Sequence, residues 1–324
     1  MRDLTVRIEN GGFAMLERYG TFFVEVLRRR YNVEVLTDSS QEPDILFFPH
    51  LGGKDLKWTN CIRVYFTIES DYPNYNLCDY AIGLSDIGIP NRFLHFPIYV
   101  FYNDILRKYE SMDSTDVDTK WALGRDFCST LVSNPIRDGI YFDLFKKLNE
   151  YKTIASGGSR NNTIGFKVPD KLEFIKNYKF NLAIENRKAP GYVTEKLLEP
   201  IVARTIPIYW GCSDWAKKEF GEGGYIDISD FDTLDHAVDY IRKVDNDNEL
   251  YMQILRTGAK MSHTYDEWCD ILLDYLSNII ENGEHIFDTC RNMDYYEKCV
   301  YYRIRDNRIV QLCRKFIRMI NSLK

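Results

Sequence analysis

Short β-rich runs alternate with segments of helical period twice along this chain, and that alternation limits the fold more than any other feature. In the first half, residues 4–8 (LTVRI), 33–36 (VEVL), 44–49 (DILFFP), 62–67 (IRVYFT) and 80–84 (YAIGL) read as strands. Between the first two, residues 15–30 carry Leu16, Phe23, Val24 and Leu27 at helical spacing. A polar stretch at 103–125 is the expected interdomain region, with room for some helix. The pattern then resumes, with strands at 127–134, 180–186 and 205–210 and helices at 136–151 and 193–203. Strands separated by helices form βαβ units and parallel sheets. The expectation is a two-domain α/β protein with a cleft, its ligands lying outside the carboxyl ends of the strands. Glu69 and the Glu185–Asn186 pair fall at such ends.

The charge balance narrows the function. With 42 Lys and Arg against 48 Asp and Glu, the net charge is −6, which argues against a nucleic-acid partner. No apolar run approaches the roughly 18 residues that a membrane span needs. The start, MRDLTVRIENGG, has no apolar signal segment, so a cytoplasmic location is expected, with eight reduced and mostly buried thiols. Residues 301–324 differ, holding seven Lys or Arg and one Asp. Ile309, Leu312, Phe316, Ile320 and Leu323 recur there at three- and four-residue spacings. Such a basic amphipathic helix suits peripheral contact with an anionic membrane surface, packing on the domain or a dimer contact.

The segment richest in chemistry is 178–215, YKFNLAIENRKAPGYVTEKLLEPIVARTIPIYWGCSDW. A buried strand ends in a carboxylate and an amide, Glu185 and Asn186. A loop with Pro190 and Gly191 follows, and Tyr192 to Lys196 open a helix that Thr194 can cap. A helix N-terminus beside a Lys is an anion site, and a Glu there can accept hydrogen bonds from ribose hydroxyls. Together these suit a nucleotide sugar.

This stretch resembles glycosyltransferase family 10, the α1,3-fucosyltransferases, whose pattern runs close to F-x-L-x-F-E-N, Y-V-T-E-K and P-[IV]-x-x-G. Here it stands as Phe180, Leu182, Ile184, Glu185 and Asn186, then Tyr192 through Lys196, then Pro207, Ile208 and Gly211. Segments 67–83, 133–142, 157–165 and 177–182 are also similar to bacterial members, so the resemblance covers most of residues 60–265. It implies the GT-B architecture, two Rossmann-like domains facing a cleft. Residues 1–122 would form an acceptor-binding α/β domain carrying the catalytic base, 123–290 a GDP-fucose-binding domain, and 291–324 the basic tail. The implied reaction is inverting transfer from GDP-fucose to the 3-hydroxyl of GlcNAc in N-acetyllactosamine-type glycans, as in Lewis-type antigens. The alternatives are another GDP-linked deoxy sugar, another surface-glycan acceptor, or a non-catalytic sugar- or nucleotide-binding module.

The resemblance also assigns roles. Glu69, in T-I-E-S, matches the base that takes the proton of the acceptor hydroxyl. Arg160 and Lys196 match groups that meet the donor diphosphate, and Glu195 matches the one that binds the ribose. Tyr192 and Asn186 line the same site, against the phosphates or the fucose. Glu185 either orients a neighbour or touches the fucose ring. Two departures stand out: Ile184 replaces the usual Phe, and the loop at 187–190 is unusually basic. His50 and His95 lie in the acceptor half, where ordinary structural histidines are expected. Three D-x-D triplets, at 116–118, 230–232 and 245–247, read as surface or loop carboxylates. No cofactor and no metal site are expected, a divalent ion at most stimulating the reaction.

Overall fold

A computed structural model describes residues 1–9, 14–38, 40–49, 60–75, 77–132, 139–158 and 161–283. The first sheet contains β1 (Arg2–Ile8), β2 (Tyr31–Val35), β3 (Ile45–Pro49), β4 (Ile62–Phe66), β5 (Tyr80–Gly83) and β6 (Phe93–His95). Its order is β2-β1-β3-β4-β5-β6, every pairing parallel. The second contains β7 (Asp126–Thr130), β8 (Ile154–Ser156), β9 (Tyr178–Ile184), β10 (Ile206–Trp210) and β11 (Ile226–Asp227), in the order β11-β10-β9-β7-β8, again parallel. The two Rossmann-like sheets of the GT-B architecture are thus present.

Parallel strands covered on both faces need continuous apolar runs. β3, ILFFP, is buried at every position, and so is β9 after its first residue. The sequence expectation located β1 to β5, β7, β9 and β10 but not β6, β8 or β11. Those three span two or three residues each, too short for a period of two to register.

Helices complete both layers. α1 (Ala14–Leu27) lies against the first sheet, burying Phe23 and Leu27 with Val6, Phe47 and Val64. The 103–125 region holds α2 (Asn103–Glu110) and α3 (Thr119–Leu123), the latter capped by Asp118, which accepts the Trp121 amide at 2.6 Å. α4 (Ile140–Tyr151), α5 (Lys171–Ile175), α6 (Glu195–Val202), α7 (Ser213–Phe220), α8 (Leu234–Asn246) and α9 (Asn248–Thr257) follow. Leu144 and Leu148 of α4 and Ile241 of α8 pack with Phe180 and Ile208 beneath the second sheet. Each fully buried side chain of this size contributes about 1.5–3 kcal/mol.

The last helix, α10 (Tyr265–Asn282), returns to the first sheet. A capping box of Thr264 and Glu267 starts it. Its Trp268, Leu272 and Leu276 join the core that contains Phe23, and the Tyr275 hydroxyl donates to the Ala81 carbonyl at 3.1 Å. The chain therefore passes between the two halves at 111–118 and again at 258–264. Tyr109 joins the crossings: its hydroxyl donates to the Ala259 carbonyl at 2.9 Å and accepts the Met261 amide at 3.0 Å. Cys61, Cys78, Cys128, Cys212 and Cys269 are free thiols, all but Cys212 buried.

Candidate active site

Glu185 follows β9 directly, and its amide donates to the Trp210 carbonyl at 2.9 Å, extending the β9–β10 pairing by one residue. Its side chain has no exposed surface. A Cβ at position 211 would lie 2.7 Å from the Glu185 Cγ, so Gly211 leaves the room this carboxylate occupies. One Glu185 oxygen accepts the Thr194 amide at 2.7 Å. The other accepts the Thr194 hydroxyl at 2.8 Å and faces the Lys196 ammonium at 3.4 Å. Burial pushes the Glu185 carboxyl above its usual range, against the pull of Lys196. Burial opposes the charge on Lys196 in turn, but the Glu185 and Glu195 carboxylates prevail and raise its pKa. Lys196 is therefore a fixed cation.

Thr194 caps α6, accepting the Lys196 amide, as the sequence suggested. The N-terminus of α6 then borders a cleft of about 210 Å³ that Asn186, Glu195 and Lys196 line together with Leu131, Val132 and Lys171. It opens beyond the carboxyl ends of β7 and β9, where a parallel sheet is expected to take its ligand. Tyr192 is buried beside it. Burial raises its phenol pKa, and Glu185, Lys196, Glu69 and Glu195 all act on it electrostatically.

Glu69 comes from the other sheet. Beyond β4, Thr67 continues the pairing through its amide to the Ile82 carbonyl at 3.0 Å. Ile68 and Ser70 turn inward and are buried, which leaves the Glu69 side chain exposed. Its charge and that of Glu195 bear on Tyr19 as well as on Tyr192. Glu69 of the first half and Glu195 of the second thus both act on the same buried tyrosines next to this cleft. Tyr19 in α1 and Tyr102, which hydrogen-bond to each other near Glu195, were not anticipated from the sequence.

The loop at 187–191 ties the halves together. Arg187 donates to the Ser70 carbonyl at 3.4 Å, next to Glu69. The Asp86 amide donates to the Pro190 carbonyl at 2.8 Å. His95 Nε2 lies 2.9 Å from the Gly191 carbonyl. Arg160, His50 and the 301–324 tail lie outside the described residues.

Two family models match the chain. One, for the C-terminal part of glycosyltransferase family 10 (fucosyltransferase), covers residues 124–280. The other, for the N-terminal domain of the α-(1,3)-fucosyltransferase FucT, covers residues 12–102. The chain belongs to glycosyltransferase family 10. This family 10 chain is 33% identical over 266 residues to α-(1,3)-fucosyltransferase FucT of Helicobacter pylori, a match spanning 71% of this chain and 54% of that one. It thus spans about half the length of that curated relative. A crystal structure of an α1,3-fucosyltransferase superposes with a TM-score of 0.74 at 26% identity, over 89% of this chain and 92% of that one. Another, of an α1,3-fucosyltransferase with GDP-fucose, gives 0.74 at 25% identity, over 89% and 94%.

One sequence expectation for this family 10 chain needs correction. Asp245 is not a surface or loop carboxylate. It sits at the end of α8 with its side chain 1% exposed, paired with Lys152 and with Lys179, the latter at 3.1 Å. In the other triplets, Asp118 caps α3 and Asp230 pairs with Lys217. Among the described residues, no group of three or more His, Cys, Asp or Glu side chains is placed to hold a metal ion, and no helix is long and apolar enough to cross a membrane.

Proposed function

We propose that this chain is an inverting transferase that moves fucose from GDP-fucose to the 3-hydroxyl of GlcNAc in N-acetyllactosamine-type glycans, a step that builds Lewis-type structures. The observation that carries the reading is that the loop leading into the Lys-bearing N-terminus of α6 meets the strand end that carries an exposed carboxylate, Arg187 donating to the Ser70 carbonyl beside Glu69. The charges of Glu69 and Glu195 meet at Tyr192.

In this reading the acceptor oxygen attacks the anomeric carbon from the face opposite GDP. Its proton passes to Glu69 as the new C–O bond forms and the bond to the phosphate oxygen breaks. Charge grows on the departing GDP, and Lys196, Arg160 and the α6 N-terminus offset it. Glu195 accepts hydrogen bonds from the ribose, while Asn186 and Tyr192 line the phosphates or the fucose. Glu185 acts by holding Lys196 and Thr194, because both its oxygens already face them. The basic segment 301–324 would rest the enzyme on an anionic membrane surface.

The test is a transfer assay with purified protein, GDP-fucose and four acceptors: N-acetyllactosamine, its isomer with β1,3-linked galactose, lactose and water. Fucose on the GlcNAc 3-hydroxyl of N-acetyllactosamine is the expected product. GDP binding without transfer to any of them would sink the acceptor assignment, and no GDP binding would sink the donor.

A further inference from the structure

The connection from β9 to α6 is gripped from the opposite half of the molecule at Gly191, among other points. His95 Nε2 lies 2.9 Å from the Gly191 carbonyl and 3.0 Å from the Leu84 carbonyl. A carbonyl only accepts, so this nitrogen carries the hydrogen and shares it between both oxygens. Burial lowers the His95 pKa, which keeps the ring neutral. The Trp215 ring meets the imidazole edge-on at 4.2 Å between centroids. From the other side, the Gly191 amide donates to Cys212 Sγ at 3.2 Å.

Gly191 has φ +73°, and a Cβ there would lie 2.9 Å from both His95 Nε2 and the Asp86 amide nitrogen. The neighbouring Pro190 carbonyl accepts that same amide. From Gly191 it is one residue to Tyr192, three to Thr194 and five to Lys196. On the acceptor side, the same loop reaches Ser70 beside Glu69 through Arg187.

We infer that His95 is a positioning residue: by clasping the Gly191 carbonyl it fixes the donor-side segment from Tyr192 to Lys196 relative to Glu69. The kinetic consequence rests on the fucosyl-transfer reading above; the clasp itself does not. Without the imidazole, the Asp86 amide and Arg187 are the hydrogen bonds that remain from the acceptor half to this loop, and both the donor site and its distance from the base loosen.

His95→Ala, His95→Gln and Val238→Ala test this, the last removing core volume in α8, which makes no hydrogen bond to the 187–191 loop among the described residues. The readouts are GDP affinity by calorimetry, KM and kcat for GDP-fucose, and amide hydrogen exchange over residues 187–198. His95→Ala should raise KM and the GDP Kd by roughly three- to tenfold, the loss expected of one hydrogen bond, and speed exchange in that segment. His95→Gln, which keeps an N–H within reach, should recover most of both. Val238→Ala should lower Tm while leaving KM and segment exchange alone. Wild-type KM and exchange in His95→Ala, or equal changes in Val238→Ala, would overturn the clasp. Should the wild-type protein not bind GDP, the donor assignment fails, and segment exchange in the three variants alone decides the clasp.

Discussion

Glu185 meets Thr194 with both carboxylate oxygens, one on its amide at 2.7 Å and one on its hydroxyl at 2.8 Å. A helix cap is thereby locked to the end of a strand, and Lys196 is aimed by the same carboxylate. Thr194→Val keeps the shape, removes the cap and leaves one Glu185 oxygen with Lys196 alone. Urea unfolding should show a loss of about 1–2 kcal/mol, whereas Thr194→Ser should stay close to wild type. A Val variant as stable as wild type would show that the lock contributes nothing.

Glu69→Gln separates chemistry from folding. The side chain is exposed, so stability should change by no more than about 0.5 kcal/mol. With Glu69 as the proposed base, its loss should cut kcat by about 10²- to 10⁴-fold, with GDP affinity unchanged. Turnover that survived the substitution would move the base elsewhere.

Asp245 gives a pH dependence of known sign. Burial alone would raise its carboxyl, but hydrogen bonds from Lys152 and Lys179 prevail and hold it below the usual range. A carboxylate depressed in the folded state contributes stability above its unfolded pKa of about 3.9 and loses it as pH falls through the folded value. Asp245→Asn should therefore cost about 3 kcal/mol at pH 7, since it leaves Lys179 buried without its charge partner. The gap between variant and wild type should close below about pH 4. Denaturant midpoints from pH 3 to 7 check this, and a gap independent of pH would contradict it.

Gly191→Ala combines two costs that Gly139→Ala does not. Both glycines have φ +73°, worth about 1–2 kcal/mol for an alanine. Only at 191 does the added methyl meet other atoms; at 139 nothing lies within 4 Å. The 191 variant should unfold at lower urea than the 139 variant and bind GDP more weakly. Equal midpoints would mean that the loop yields freely.

The sequence made β3 readable because a strand buried on both faces leaves an unbroken apolar run, whereas β1 and β9 were readable from β-rich runs that polar residues interrupt. The Glu185-to-Lys196 segment was readable because its residues are neighbours along the chain, and Glu69 because it ends a strand in a similar motif. Tyr19, Tyr102 and His95 gave no such signal. His95 is 96 residues from the Gly191 carbonyl that it meets, and only the packing of two sheets brings them together. Asp245 was misjudged for the same reason, since Lys152 and Lys179 precede it by 93 and 66 residues. α10 was not read from the sequence, and nothing along the chain tells that its apolar side belongs to the first sheet.

Tyr109, at the end of α2 just before the first crossing, fastens that helix to the second crossing, and the pairing has a mechanical consequence. A single tether would let one lobe swing and twist against the other, whereas two strands of chain fastened together behave as the pin of a door. Together with the contacts of the 187–191 loop, this fastening resists torsion of one lobe against the other.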